Sequence, residues 1–221
     1  MDVESFSQCL QYMNATSAKF SLDKLIPVCS ALGGAIIGFT LNYLTSNKKE
    51  RQAAQNKIMC CEEDVERIRI YSYKAVKAIG ELCITTAQSR RITHHSVPSI
   101  SSMCLSEYFI DVAHKFNSSQ RESVQKLILN LEVLNKRTDE LLDSKLREPY
   151  NQSTALLNSM VTAATILGEC EDFKRKEIVS YSVEEVFGWA GATTEEIQAF
   201  MTLKDNAAEG NKILKLEKYI N

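Results

Sequence analysis

LIPVCSALGGAIIGFTLNYL, residues 25–44, is the stretch that decides the fold we predict for this chain. These twenty residues include no charged side chain. At about 1.5 Å per residue, a helix of this length spans the hydrocarbon core of a bilayer, roughly 30 Å. Because uncharged runs of this length are uncommon in soluble domains, the stretch predicts a transmembrane helix over 25–46. The preceding segment is too long and not basic enough for a cleaved signal peptide, so we expect an uncleaved anchor.

The cations beside this stretch predict its orientation. Four of them follow it closely: Lys48, Lys49, Arg51 and Lys57. Two precede it: Lys19 and Lys24. The positive-inside rule therefore places the C-terminal part of the chain in the cytoplasm.

This orientation gives a simple domain plan at the cell membrane. Residues 1–24 are predicted to form a short extracytoplasmic tail, 25–46 the membrane helix, and 47–221 a cytoplasmic domain. The membrane helix is expected to continue into the first helix of that domain.

One face of the predicted membrane helix carries small and polar residues. Ser30, Gly34, Gly38 and Asn42 recur every four residues. Small residues allow two helix backbones to approach closely, and an amide in lipid finds its hydrogen-bond partner on another helix. The spacing predicts a homo-oligomer interface on this face, with a monomeric anchor as the alternative.

Heptad spacing in the rest of the chain predicts an all-α fold, an antiparallel helical bundle. Glycine and proline are scarce, at 8 and 3 residues, which argues against architectures with many turns. The main helices are expected over about 50–88, 120–147 and 150–171. Apolar and small residues at 3,4 spacing mark the first of them: Ile58, Cys61, Val65, Ile68, Ser72, Ala75, Ile79 and Leu82.

Shorter helices are expected around these three. A loop over 89–102 precedes a predicted helix over 103–116. Three motifs of the capping-box type predict helix starts: Ser119–Glu122, Ser182–Glu185 and Thr193–Glu196. Ile213, Leu216 and Ile220 predict an amphipathic helix at the end of the chain.

The seven cysteines form an odd set, and their spacing matches neither a metal site nor a disulfide framework. Most lie in helical patterns. We interpret them as small apolar residues in a reducing compartment.

Common catalytic motifs are missing from the sequence, including the P-loop, GxGxxG, HExxH and GxSxG. Glu107, Asp111 and His114 share a face of the predicted helix over 103–116. No second carboxylate–histidine pair completes the metal site of a carboxylate-bridged bundle. We therefore predict no catalytic residue, no cofactor and no metal. A metal-dependent enzyme built on these three residues is the least favoured alternative.

The charge balance and one loop indicate which kinds of binding partner to expect. With 26 Lys+Arg against 28 Asp+Glu, the net charge of −2 gives no reason to expect nucleic-acid binding. Arg90, Arg91 and His94 form a candidate surface for a protein partner.

The sequence thus predicts a non-enzymatic, single-pass scaffold, adaptor or sensor, held by membrane lipid and presenting its bundle to partners. The alternative is a membrane-acting effector, in which the small-residue face lines an oligomeric pore gated by the bundle.

Overall fold

The computed structural model describes residues 8, 11, 22–88, 90, 92–94, 96–141 and 149–213, and the side chains of 22–29, 149 and 211–213 lie outside this description. The described residues form helices and connecting loops, without a β-strand. The predicted all-α class is confirmed. The chain divides into two compact units, Met1–Ala53 and Ala54–Asn221. The domain limits proposed from the sequence stay predictions.

The helices are numbered in chain order. They are α1 Leu22–Ala87, α2 Met103–Val112, α3 Ser118–Glu140, α4 Pro149–Arg175, α5 Val183–Trp189 and α6 Thr194–Ile213. A 3-10 helix, Ala113–Lys115, follows α2.

Among the described residues, no helical stretch combines the length and the apolar character that a membrane crossing requires. The transmembrane helix predicted over 25–46 is therefore not supported. The described part of that segment includes Ser30, Asn42 and three glycines, which lower its hydropathy. Its first residues, 25–29, have side chains outside the described part.

The predicted heptad positions form the core of the second unit. On α1 the positions from Cys61 to Leu82 are buried, and Ile58 is half-buried. On α3 the residues with the same spacing are buried as well: Val124, Leu127, Leu131, Leu134 and Thr138. Spacing of three and four residues keeps these side chains on one face of each helix, so they meet in one cluster. The helical bundle is confirmed, although the packing gives no support for a separate coiled coil.

Helix α4 is buried on most of its faces, because it packs against α3, α5 and α6. Its polar side chains must therefore find partners inside the protein. The Ser159 hydroxyl donates to the Ala155 carbonyl at 2.8 Å, and the Thr162 hydroxyl donates to the Asn158 carbonyl at 2.7 Å. Arg137 of α3 also donates to the Thr162 hydroxyl oxygen, at 2.6 Å.

A disulfide and a helix cap are among the contacts that join α1 to α2. Cys60 and Cys104 form a disulfide whose Cα atoms lie 5.9 Å apart. One turn further along α1, the buried Asp64 accepts a hydrogen bond from the Leu105 backbone amide at 3.0 Å, and so caps α2. Our interpretation of all seven cysteines as thiols is wrong for this pair. The two are 44 positions apart, and helix packing brings them together.

The helix starts agree in part with the predicted capping boxes. The boxes at Ser182–Glu185 and Thr193–Glu196 are confirmed by reciprocal hydrogen bonds. The predicted box at Ser119–Glu122 is wrong, since the N-cap lies two residues earlier: Asn117 caps α3 together with Gln120. Asparagine is as good an N-cap as serine, and glutamine can take the place of glutamate as the reciprocal partner.

Residues 103–116 are helical to Val112, and the 3-10 turn then runs to Lys115. Of the predicted end helix, Leu216 and Ile220 lie outside the described residues.

The ends of α4 and α5 share a Schellman motif, in which one residue adopts a left-handed conformation. After α4 this residue is Lys176, with φ of 60°, and the Glu177 amide donates to the Asp172 carbonyl at 3.2 Å. After α5 it is Gly191, with φ of 63°, and the Ala192 amide donates to the Phe187 carbonyl at 3.1 Å. Glycine adopts this conformation without steric cost, whereas lysine does not.

Lys176→Gly is therefore expected to stabilise the fold. Relief of the left-handed strain outweighs the extra backbone entropy of glycine, for a net gain of about 0.5–1 kcal/mol in the free energy of unfolding. Urea unfolding followed by circular dichroism measures this change. The matched variant Gly191→Ala is expected to lose about 1 kcal/mol. A Lys176→Gly protein less stable than the original would contradict the strained turn.

Candidate functional site

A pocket of about 320 Å³ lies along the C-terminal half of α4. Its walls come from α4, from Lys126 of α3, from residues 178–182 and from the start of α5. Four apolar residues are among those that line it: Ala164, Ile178, Val183 and Val186. Four others bring ionisable groups: Lys126, Glu169, Asp172 and Tyr181.

The Schellman turn at Lys176 builds one wall of this pocket by turning the chain back along α4. The Val179 amide then donates to Asp172 Oδ1 at 3.0 Å. The Tyr181 ring lies over Gly168, so close that a Cβ on this glycine would stand 3.1 Å from the ring. Gly168 is therefore the residue that makes room for Tyr181.

Glu169 lies at the buried side of the pocket, with only 6% of its surface exposed. Its Oε1 accepts a hydrogen bond from Asn130 Nδ2 at 3.0 Å. Its Oε2 is buried, and none of the described residues donates a hydrogen bond to it. Burial raises the pKa of this carboxyl to about 7, against the opposing effects of Asn130 and Lys126.

Asp172 and Tyr181 complete the ionisable wall. Burial raises the pKa of Asp172, while the hydrogen bond from the Val179 amide lowers it. Burial, and then the negative charge of Asp172, raise the pKa of the Tyr181 phenol. The Tyr181 hydroxyl faces this carboxylate with a geometry too poor for a regular hydrogen bond.

The pocket has an excess of acidic groups. Two carboxyl groups line it against a single cation, Lys126. The Lys126 ammonium is itself paired with Glu122, at 2.7 Å. The arrangement is suited to accepting hydrogen bonds and to taking up a proton near neutral pH.

The four residues of the predicted small-residue face are all exposed on α1: Ser30, Gly34, Gly38 and Asn42. A Cβ added at Gly34 or Gly38 meets nothing within 4 Å. A larger side chain at either glycine would therefore be sterically tolerated within one copy of the chain. The oligomer interface stays a prediction.

The predicted partner surface is described only in part. Arg90 and His94 are exposed, and Arg91 lies outside the described residues. His94 Nδ1 is 3.1 Å from the Thr93 hydroxyl. His94 also lines a smaller pocket, of about 190 Å³, beside the end of α1. The assignment of this loop to a partner stays a prediction.

Glu107, Asp111 and His114 do not converge on one site. All three are exposed, and Asp111 forms an ion pair with Lys57 of α1, at 2.5 Å. His114 belongs to the 3-10 turn rather than to α2. Nowhere in the described part of the chain do three His, Cys, Asp or Glu residues assemble with metal-binding geometry.

Sequence reasoning missed the pair Glu169 and Asp172. A signal was present, since the two acids are three residues apart and therefore share a helix face. Their neighbours Leu167, Cys170 and Phe173 are apolar, which is unusual around solvated carboxylates.

No protein-family model matches this sequence, and neither a curated protein nor a solved structure is detectably similar to it.

Glu169→Gln is expected to stabilise the protein at pH 8 and to change little at pH 5. The pKa of Glu169 in the folded state, about 7, lies above its ordinary value of 4.5, so stability falls as pH rises from 4.5 through 7. The gain at pH 8 is expected to reach at most about 3 kcal/mol, because glutamine keeps the Asn130 bond without the buried charge. Urea unfolding at both pH values measures it.

Glu132→Gln is the matched control, since Glu132 is an exposed carboxylate on α3. It is expected to shift the free energy of unfolding by less than about 0.5 kcal/mol at both pH values. An equal effect of Glu169→Gln at pH 5 and pH 8 would refute the titration of this buried carboxyl.

Proposed function

We propose that this protein is a single-pass, membrane-anchored helical scaffold or adaptor. In this proposal residues 25–46 insert into the lipid bilayer, and the bundle within residues 54–213 is presented to a protein partner.

The observation that carries the proposal is the exposure of large apolar side chains on α1 before the bundle. They include Leu32, Ile36, Ile37, Phe39, Leu41 and Leu44, each 58–78% exposed. Successive helical residues point about 100° apart, so these side chains cover roughly 200° of the helix circumference, and the remaining side carries the face of Gly34, Gly38 and Asn42. An exposed apolar surface this broad needs apolar surroundings, and a lipid bilayer supplies them.

The hydroxyl groups of this segment also suit lipid. The Thr40 hydroxyl donates to the Ile36 carbonyl at 2.7 Å, and the Thr45 hydroxyl donates to the Leu41 carbonyl at 2.7 Å. A polar group that is hydrogen-bonded within its own helix loses less on leaving water. Neither threonine therefore opposes insertion strongly.

Two features bear on the direction of insertion, and they disagree. The cations after the segment favour the cytoplasm for the bundle. The Cys60–Cys104 disulfide is more typical of an oxidising compartment. We assign the bundle to the cytoplasm, because flanking cations act on the insertion step itself. The disulfide would then form only under oxidising conditions.

Two surfaces are proposed for contacts with other proteins. The face of Ser30, Gly34, Gly38 and Asn42 would join copies of this chain within the membrane. The loop that carries Arg90, Arg91 and His94 would meet a separate protein partner, and its cations would favour an acidic one.

Ile37→Lys is expected to release the full chain from membranes. A charge near the bilayer centre costs about 2.5–3.5 kcal/mol in insertion, so the carbonate-resistant membrane fraction falls sharply. The matched control is Ile70→Lys, which adds the same charge at an exposed isoleucine of the bundle unit, 44% exposed. Fractionation followed by immunoblotting measures both. A wild-type chain that remains in the soluble fraction would refute the anchor.

Protease protection of sealed cells, with a tag at each end of the chain, tests the direction. The C-terminal tag is expected to be protected from external protease and the N-terminal tag to be removed. The opposite pattern would place the disulfide in an oxidising compartment and reverse the assignment.

Gly38→Leu is expected to abolish crosslinked dimers in the membrane, since the added side chain blocks close approach of two helices. Gly33→Leu adds the same side chain off the predicted face and is expected to leave crosslinking unchanged. Neither glycine has a neighbour within 4 Å of an added Cβ in the single chain, so a selective loss reports on a second chain. Equal crosslinking in both variants would refute the face. Liposome leakage lost in Gly38→Leu would favour the pore function instead.

A further inference from the structure

The pocket along α4 contains a hydrogen-bond acceptor without a donor. Glu169 is more than nine-tenths buried, and no described group bonds to its Oε2. Two other polar groups of α4 have hydrogen-bond partners: the Thr162 hydroxyl is bonded to Asn158 and Arg137, and Asp172 accepts from the Val179 amide. A buried acceptor left without a donor costs about 1–3 kcal/mol. A ligand that brings a donor would recover this energy.

The charge around this acceptor indicates the sign of such a ligand. Glu169 and Asp172 both line the pocket, and Lys126 is paired with Glu122. An anion would meet two carboxyl groups, whereas a cation would neutralise them. Since no cluster of three metal-binding side chains exists among the described residues, the donor is more simply an organic cation than a metal ion.

The size and the walls of the pocket limit the ligand further. A volume of about 320 Å³ is at the lower end of the range for small-molecule sites. Ala164, Val183 and Val186 give an apolar surface next to the carboxyl groups. A fitting ligand therefore has a short apolar body and one charged, hydrogen-bond-donating head.

From this geometry we infer that the pocket is a binding site for a small primary alkylammonium ion. Its N–H groups donate to the Glu169 and Asp172 carboxylates, and its hydrocarbon chain packs against Ala164, Val183 and Val186.

Binding at this site depends on pH in a defined direction. An ammonium ion prefers the ionised form of Glu169, whose pKa is about 7. The charged groups that act on Glu169 are Lys126 of α3, which favours ionisation, and Asp172 of α4, which opposes it. Tyr181, from the segment after α4, lies beside Asp172 and carries a raised pKa. Affinity for an ammonium ion is therefore expected to rise about tenfold from pH 6 to pH 8.

Calorimetric titration of the full chain, held in a non-ionic detergent, tests this site with n-butylamine as the probe. Saturable binding with a Kd of about 1 mM or below at pH 8 is expected, and it weakens about tenfold at pH 6. n-Butanol and butyrate have the same apolar body without the positive charge, and both are expected to bind at least tenfold more weakly. Empty micelles give the blank.

Two variants locate the binding. Glu169→Gln keeps an acceptor for Asn130, and Asp172→Asn keeps an acceptor for the Val179 amide. Each is expected to weaken n-butylamine binding at least tenfold at pH 8. Glu184→Gln removes an exposed carboxylate of α5 outside the pocket and is expected to keep the affinity.

Each contrary outcome overturns the site. These outcomes are the absence of saturable binding, equal binding of n-butanol, and unchanged affinity in folded Glu169→Gln. If both pocket variants unfold, the selectivity of the wild-type chain for amine over alcohol, and its pH dependence, still decide the question. Failure here leaves the membrane anchor untouched, because the pocket and the anchor lie in different units of the chain.

Discussion

The enclosure of α4 is the constraint on which the described bundle depends. A helix with neighbours on most sides buries apolar side chains on most of its faces. Met160, Ile166 and Leu167 of α4, for example, are fully buried. The same enclosure removes water from its polar side chains. Ser159 and Thr162 meet this condition through carbonyls of their own helix. Glu169 meets it through only one of its two oxygens. The core and the candidate pocket therefore have one physical origin.

The segment after α4 forms the wall that completes the candidate pocket. A left-handed residue at 176 reverses the chain, a backbone amide reaches Asp172, and an aromatic ring covers Gly168. The ring contact depends on the absence of a side chain at Gly168, and the left-handed turn is adopted by a lysine at a steric cost. Together they hold Glu169 and Asp172 beside an apolar wall. Burial there raises the pKa of both carboxyl groups, that of Glu169 to about 7. Four buried side-chain atoms lack a hydrogen bond among the described residues, and two of them, Glu169 Oε2 and the Tyr181 hydroxyl, belong to residues that line this pocket.

Local rules were enough for much of the fold. Spacing of three and four residues identified the buried faces of α1 and α3, because helical periodicity is a property of neighbouring residues. Two capping boxes succeeded for the same reason. The disulfide, the Asp64 cap of α2 and the pocket were missed, since each joins residues distant in sequence. For the apolar run at 25–44, composition alone predicted a membrane crossing, which the described residues do not support.

Asn117 and Gln120 form the cap of α3, and each also donates a hydrogen bond to a carbonyl at the end of α4, Lys176 and Phe173 respectively. The beginning of one helix and the end of another are thus fastened by the same two side chains. Loosening either end releases both, so the amide protons of the first turn of α3 and of the reversal after α4 become exchangeable in one shared opening event. Local opening of the pocket wall after α4 is then controlled by Asn117 and Gln120, neither of which lines the pocket.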